Sequence, residues 1–395
     1  QEPLYEELQK EVERVISVDK EKNHSPEAIV YVRATDNAGN VSEQTISLDI
    51  NNLTPTVSLT YAGTANAGAR SGYYTKRTAT IVITENGHYF DADAATASIL
   101  ITAKDSNGAN VENAYKISAW DTAQNPTNPD ASTHTATISF ERDANYTISV
   151  NYTDRAGNTN GQVNVSGQAA PFQFTVDSTK PGGTVMAVSD EGRETVWSDL
   201  RSMLTYGFWS NSRISVTGTA EDATSPIARI EYYKVIAQNP GDNTTPLTEA
   251  ELDAVSGWQP LSTVEIDRDE QAAVYLKITD YAGNYSYVGT SGLIVDRQRP
   301  IQEVGAPAIS LNADGVANGV SNGSVGVSVS VNDPVAGGTY SGLKQVSYRV
   351  YDRGSGVEAP TQTGILFDYK DNDPMQSGLV QSWSGGITVE AGVNN

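Results

Sequence analysis

Apolar and polar positions alternate along many short segments of the chain. The period is two residues, which places successive side chains on opposite faces of a β-strand. Segments of this kind lie at 29–34, 78–83, 98–103, 135–140, 146–152, 213–220, 227–236 and 274–278. Gly, Asn and Asp recur between them, and these residues favour turns. The pattern predicts an all-β chain, with a short helix only within 189–204.

A five-residue unit, Asp-x-Ala-Gly-Asn, punctuates this pattern at 36–40, 154–158 and 280–284. Each copy follows an alternating strand and precedes a second strand that ends near a proline: Pro55, Pro181 and Pro300. Asp accepts hydrogen bonds from backbone amides two residues on, and Gly supplies a positive φ at little cost. The unit therefore predicts a tight hairpin between the last two strands of an immunoglobulin-type sandwich.

These repeats divide the chain into modules. The length of 395 residues suits two to four domains. We expect tandem immunoglobulin-like β-sandwich modules in an elongated array, with complete modules at 53–178 and 179–297. Residues 1–52 resemble only the C-terminal half of such a module, and residues 298–395 resemble only the N-terminal half.

Two explanations of the half modules stay open. The sequence can be a piece of a longer surface protein, an expectation that fits ends without a signal peptide or a sorting signal. Alternatively, the head of one molecule completes the tail of another by strand addition.

Composition narrows the range of functions. The chain has no Cys, which excludes disulfides and thiolate metal sites. Its formal net charge of -22 disfavours nucleic acid and anionic membranes as partners. Apolar runs stay far below the roughly 20 residues that span a bilayer, so we expect no membrane insertion in this segment.

The motif resembles a known family. Asp-x-Ala-Gly-Asn, an apolar strand and then Val-Asp-x-x-x-Pro are similar to the bacterial immunoglobulin-like (Big) repeats of large Gram-positive cell-surface and adhesin proteins. The resemblance implies an extracellular location, at the bacterial cell surface or secreted, and a stalk or spacer role. It also implies that some modules bind calcium near their linkers.

The sequence shows no recognisable catalytic signature, and we expect no enzyme. It holds three histidines, His24, His88 and His134, in separate segments without metal-ligand spacing, and we interpret them as ordinary surface residues.

Calcium is the one site hypothesis with a physical basis, because Ca²⁺ needs six to eight hard oxygen ligands. In an immunoglobulin topology the linker before a module lies near that module's own turns. Asp177, Asp222 and Asp280 are then expected to converge, with Glu221 nearby. The matching set in the C-terminal module is Asp296 and Asp333. The set of Asn51, Glu85 and Asp154 is a weaker one.

The alternative stays open that these Asp residues only cap turns and linkers by accepting hydrogen bonds from backbone amides. Trp258 and Trp383, at equivalent repeat positions, and Trp120 are interpreted as core residues rather than as a carbohydrate-stacking surface, and Trp197 and Trp209 are assigned to neither.

The expected function is therefore architectural: stalk or spacer repeats that present a distal binding region, with neighbouring modules as partners. The alternative is an adhesive module that itself binds a glycan or a host protein.

Overall fold

The computed structural model describes residues 25–160, 163–164, 172–202, 204, 207–237, 245–267, 269–305, 324–351, 360–369 and 380–389. These residues are nearly all β, as predicted. They fall into two compact units. The first takes the described part of 1–179 with the turns 223–225 and 281–284, and the second takes the remainder.

The described residues of the first unit form three sheets. A hairpin pairs β1 (Ser25–Thr35) with β2 (Val41–Ile50). One sheet has the order β4-β12-β10-β6, and the other has the order β11-β3-β5-β9-β7, with β8 also paired to β9. The strand bounds are β3 (Thr56–Thr64), β4 (Tyr73–Tyr74), β5 (Lys76–Thr84), β6 (Ile99–Lys104), β7 (Tyr115–Ile117), β8 (Asp121–Ala123), β9 (Thr133–Phe140), β10 (Ala144–Val150), β11 (Val163–Asn164) and β12 (Phe172–Val176).

Alternation builds the core of this unit. Every second residue of β5, β9 and β10 is buried, which is the pattern of a strand with one face on a core. Ile81 and Ile138 come from one sheet and Tyr146 and Ile148 from the other, and all belong to one hydrophobic cluster. Two larger sheets packed through apolar inner faces form a β-sandwich.

The second unit contains four sheets, with the orders β14-β13-β16-β19, β15-β22-β20-β17-β18, β23-β24-β27 and β25-β26, and with β21 also paired to β20. The strand bounds are β13 (Gly182–Ser189), β14 (Glu194–Trp197), β15 (Phe208–Ser210), β16 (Ile214–Glu221), β17 (Ile227–Ile236), β18 (Gln259–Pro260), β19 (Val264–Ile266), β20 (Glu270–Asp280), β21 (Tyr285–Gly289), β22 (Leu293–Val295), β23 (Ile301–Val304), β24 (Val325–Asn332), β25 (Gln345–Val350), β26 (Gln362–Asp368) and β27 (Ser382–Val389).

Three hydrophobic clusters organise the second unit. The largest includes Val216, Leu276 and Ile278 and lies between the two larger sheets. A second cluster includes Leu252, Tyr275 and Tyr287. Tyr275 alternates with Leu276 along β20, so the two clusters lie on opposite faces of that strand. The third cluster, described below, belongs to residues 324–389.

The helices among the described residues are short and lie where the sequence did not predict them. They are α1 (Ala92–Ala97) and α2 (Glu249–Asp253), with a 3-10 turn at Pro129–Ala131. Asp91 caps α1, and Thr248 forms a capping box with Glu251 at α2. The helix predicted within 189–204 is wrong for the described residues there. They form the end of β13, a turn at Gly192 with φ +83°, and β14.

The module boundaries near 52, 178 and 297 stay predictions. None of the helices among the described residues is long and apolar enough to cross a membrane.

Candidate metal centres at the strand-to-linker junctions

The Asp-x-Ala-Gly-Asn unit forms the expected tight turn. Oδ1 of Asp154 accepts hydrogen bonds from the amides of Ala156 (2.9 Å) and Asn158 (2.8 Å). Oδ1 of Asp36 accepts the equivalent pair in its own turn at 2.9 and 2.8 Å. The glycines Gly39, Gly157 and Gly283 have φ of +88°, +89° and +79°, which only glycine adopts without strain.

The last Asn of the unit completes the turn. Nδ2 of Asn158 donates to Oδ2 of Asp154 at 3.0 Å, and Nδ2 of Asn40 donates to Oδ2 of Asp36 at 2.7 Å. Asp105 caps a turn in the same way without the motif, through the amides of Asn107 and Ala109. An Asp in this position is therefore sufficiently explained by turn capping.

The linker residue Asn51 is attached to the turn that contains Asp154. Its side-chain Nδ2 donates to Oδ2 of Asp154 at 2.7 Å, and its carbonyl accepts from Nδ2 of Asn158 at 3.2 Å. Its Oδ1 accepts from the amide of Leu53 at 2.9 Å. Both carboxylate oxygens of Asp154 are thus already engaged by protein donors.

Glu85 completes the predicted set around Asn51. It is buried, and its Oε1 accepts a 2.6 Å hydrogen bond from the hydroxyl of Tyr152. Its Oε2 has no hydrogen-bond partner among the described residues. Burial, and secondarily the charge of Asp154, raise the pKa of Glu85 to about 7. A proton on Glu85 therefore neutralises part of this site near neutral pH.

Asp177 occupies the position of Asn51 in the next repeat, four residues before Pro181 as Asn51 is before Pro55. It is fully buried in the first unit, and its Oδ1 accepts from the amide of Thr179 at 3.1 Å. Its Oδ2 accepts from the hydroxyl of Ser225 of the same unit. The interpretation of these Asp residues as caps of turns therefore accounts for Oδ1 of Asp177.

Asp222 and Asp280 belong to the second unit. Asp280 ends β20 and is buried, whereas Asp222 follows β16 and is half-buried. A carboxylate oxygen of one lies within 4.8 Å of a carboxylate oxygen of the other. The structure thus brings together these two of the predicted ligands within one unit.

Asp296 and Asp333 also lie together in the second unit. Asp296 accepts from the amides of Gln298 (2.9 Å, Oδ1) and Ser341 (2.8 Å, Oδ2). Asp333 is fully buried, and its Oδ2 accepts from the amide of Gly342 at 2.7 Å. Burial, and then the nearby charge of Asp296, raise the pKa of Asp333 above its usual range.

The other oxygen of Asp333 is the distinctive atom of this site. Its Oδ1 is buried and has no hydrogen-bond partner among the described residues. A buried carboxylate oxygen without a donor is costly. A hard cation bound to Oδ1 would remove that cost, so the donor chemistry fits Ca²⁺ better here than at Asp154.

The exposure of His88 and of His134 tests the interpretation of both as surface residues. His88 is more than half exposed, and its Nε2 lies 2.5 Å from a carboxylate oxygen of Asp49, which fits a surface residue. His134 is not a surface residue. It faces inward from β9, is 1% exposed and stacks on Phe90 with ring centroids 3.8 Å apart. Burial lowers its pKa. His24 lies outside the described residues.

The tryptophans are packed, but Trp258 and Trp383 are not equivalent. Trp258 belongs to the cluster on the outer face of β20 and stacks on Tyr287 at 5.6 Å. Trp383 lies in β27, opposite Val331 of β24, within the third cluster. Trp258 directly precedes β18, which pairs with β17, whereas the strand of Trp383 pairs with β24, so the two positions differ in their strand neighbours. Trp197 joins the main core of the second unit, and Trp120 packs against the core of the first.

Sequence reasoning missed the amide groups of these junctions. Asn158 and Asn284 each donate from Nδ2 to the linker carbonyl of their own unit, at Asn51 and Asp177 respectively. The signal was available, because Asn closes all three copies of the repeat.

No protein-family model matches the chain, and no curated protein matches it as a relative. The resemblance to bacterial immunoglobulin-like repeats therefore stays a prediction.

Proposed function

We propose that the chain is a set of structural stalk or spacer repeats of an extracellular bacterial surface protein, holding a distal binding region away from the cell. The observation that carries this proposal is the attachment of Asn51 to Asp154 and Asn158. Three hydrogen bonds restrain the linker residue, at Oδ1, Nδ2 and the carbonyl. A linker held in this way transmits orientation, which a spacer needs.

A second contact supports the same role. At the end of β2, Asp49 accepts a 2.6 Å hydrogen bond from the hydroxyl of Tyr89 and pairs with His88. The segment before the Pro55 linker is thereby held against His88 and Tyr89, which lie just before Asp91, the N-cap of α1. Repeated sandwiches that each bury their own core allow length to be added by repetition.

Calcium is part of this proposal. Asp296 with Asp333, and Asp222 with Asp280, would supply carboxylate ligands, and backbone carbonyls and water would complete the coordination. Bound Ca²⁺ would neutralise the buried charge and hold the linker side chain to the sheet. The inclusion of Asp177 in a set with Asp222 and Asp280 remains a prediction from the sequence.

Small-angle scattering combined with thermal unfolding, each in millimolar calcium and in chelator, tests both parts. The spacer proposal expects an elongated particle in either condition. The calcium proposal expects a higher melting temperature in calcium, because the ion binds only the folded state. A compact particle contradicts the spacer role, and identical melting curves contradict the calcium sites.

Asp333→Asn separates a specific site from general screening of acidic charge. This variant should lose much of the calcium response. The matched control is Asp36→Asn, which changes an exposed Asp in a turn of the same kind. An equal loss of response in both variants would contradict a site at Asp333.

The alternative function, direct adhesion to a glycan or host protein, is favoured by one observation. The β1–β2 hairpin exposes large apolar side chains, among them Ile29 and Tyr31, which share one face of β1. Exposed apolar clusters of this kind mark interaction surfaces.

A further inference from the structure

The β1–β2 hairpin repeats the design of the β20–β21 hairpin. Counting back from the turn Asp, Ala28, Val30 and Val32 stand where β20 has Ala272, Val274 and Leu276. Those three β20 residues are fully buried in the main core of the second unit. Because β1 has the same alternation, one of its faces has the apolar pattern of a strand that packs on a core.

In β1 that face is not covered to the same extent. Val32 is 41% exposed, and Ile46, which pairs with Val30 across the hairpin, is 58% exposed. Ala28 pairs with Leu48 on the same face. An isolated two-stranded hairpin is only marginally stable in water, and an exposed apolar face of this kind marks an interaction surface.

The strand β25 offers the complementary surface. Its counterpart β17 lies between β18 and β20, whereas β25 pairs with β26 alone among the described residues. The correspondence between β25 and β17 rests on burial. Leu343 and Val346 are three residues apart and belong to the third cluster, and Ile227 and Ile230 are also three residues apart and pack against the main core.

This correspondence predicts a register for β1 on β25. In the second unit Ile230, Tyr232 and Lys234 pair with Ile278, Leu276 and Val274. Transferred by position, Val346 faces Ala34, Tyr348 faces Val32 and Val350 faces Val30. Val346, Tyr348 and Val350 are the less exposed residues of β25, so apolar positions meet apolar positions on the core side.

The outward positions are also complementary. Tyr233 pairs with Tyr275, which places Arg349 opposite Tyr31 and Ser347 opposite Arg33. Arg349 and Tyr31 are both exposed. A guanidinium over a tyrosine ring is attractive, and the transferred register sets no like charges directly opposite each other.

We propose that the β1–β2 hairpin of one molecule adds to the edge of β25 that no described strand occupies, in a second copy of this chain, and completes the sandwich around the described residues of 324–389. This is β-strand addition between copies. Because the donor and acceptor surfaces differ, the contact is head-to-tail and does not close as a two-fold dimer.

The first test is sedimentation velocity on the full chain across a concentration series. We expect dimers that grow into longer linear species as concentration rises. A chain that stays strictly monomeric at roughly several hundred micromolar, a concentration at which weak interfaces associate, overturns the proposal.

Substitution identifies the face. Val30→Lys with Val32→Lys should weaken association by about 100-fold or more, because two ammonium groups would enter a core. The control is Ile29→Lys with Thr45→Lys on the opposite face of the hairpin. Equal weakening by both pairs would overturn the assignment of the face.

Cross-linking tests the register without a change in the core face. The chain has no Cys, so Tyr31→Cys with Arg349→Cys introduces the only thiols. A short bifunctional maleimide should link this pair between chains, and should link the off-register pair Tyr31→Cys with Gln345→Cys poorly. Equal linking of both pairs, or linking only within one chain, overturns the proposal. If the hairpin served only in adhesion to another molecule, the chain would stay monomeric. The spacer proposal is tested separately, by the small-angle scattering experiment.

Discussion

Two junctions of the repeat, around Asn51 and around Asp296, solve the same problem with different chemistry. Each linker residue stands four positions before a proline and accepts a hydrogen bond from the amide two residues on. At Asn51 an amide side chain donates to Asp154, so the acid is matched by a donor. At Asp296 the linker residue is itself an acid, and Oδ1 of the neighbouring Asp333 lacks a donor.

The difference is one of charge balance. At the Asn51 junction, amide groups donate to Asp154, and Glu85, whose pKa is raised to about 7, binds a proton near neutral pH. The Asp296 junction concentrates buried negative charge, which becomes favourable only when a cation or a proton compensates it. The linker residue, Asn51 in one junction and Asp296 in the other, is one of the residues that set this difference.

The largest expected effect comes from removing the hub of the first junction. Asp154→Ala leaves the amides of Ala156 and Asn158 and the side chains of Asn51 and Asn158 without their acceptor. We expect a loss of about 3 kcal/mol in the free energy of unfolding of the first unit. Denaturant-dependent hydrogen exchange of peptides from each unit measures it. The control Asp36→Ala removes the equivalent acceptor from an exposed turn and should cost much less than Asp154→Ala.

The second prediction addresses the other junction. In chelator, Asp333→Asn should stabilise the second unit, because it removes a buried charge. In calcium at 100 times its Kd, the wild-type protein should gain about 2.7 kcal/mol and the variant much less. The ranking of the two proteins thus reverses between conditions. If the ranking is the same in both, the junctions do not differ in their need for a cation.

The third prediction concerns pH. The pKa of Glu85 is raised from 4.5 to about 7 in the folded state, so between these pH values the folded protein holds a proton that the unfolded chain has lost. This contribution to stability is complete below about pH 4.5 and is lost as the pH rises through 7.

Glu85→Gln should remove this dependence, and at pH 8 the variant should be more stable than the wild type by roughly 2 kcal/mol. The difference between the two proteins across pH 4–8 isolates Glu85 from His134, which titrates in both. A difference that does not change with pH would mean that Glu85 does not carry the proton.

The smallest expected effect converts one junction into the other. Asn51→Asp removes the donor to Asp154 and adds a carboxylate, which should cost about 1–2 kcal/mol in chelator. Calcium should restore part of that loss. Asn51→Ala, which also removes the donor but adds no ligand, should show no such recovery.

The sequence alone predicted the features that depend on the chemistry of residues close together in the chain. Alternation located most strands within a few residues, because a half-buried strand must alternate. Asp-x-Ala-Gly-Asn predicted its own turn, since the bonds of Asp36 and Asp154 to the amides join residues two and four apart. These features depend on residues that are close in the sequence, so they can be predicted without knowledge of the tertiary structure.

Only the tertiary structure decided which groups became buried and which found partners. His134 alternates inward and stacks on Phe90, and Trp258 and Trp383 pack in different clusters despite similar positions in the repeat. The linkage of Asn51 to Asp154 joins residues 103 positions apart. The unmatched oxygen of Asp333 arises from surroundings assembled by distant strands, because desolvation and hydrogen-bond geometry are properties of the packed chain and not of its local sequence.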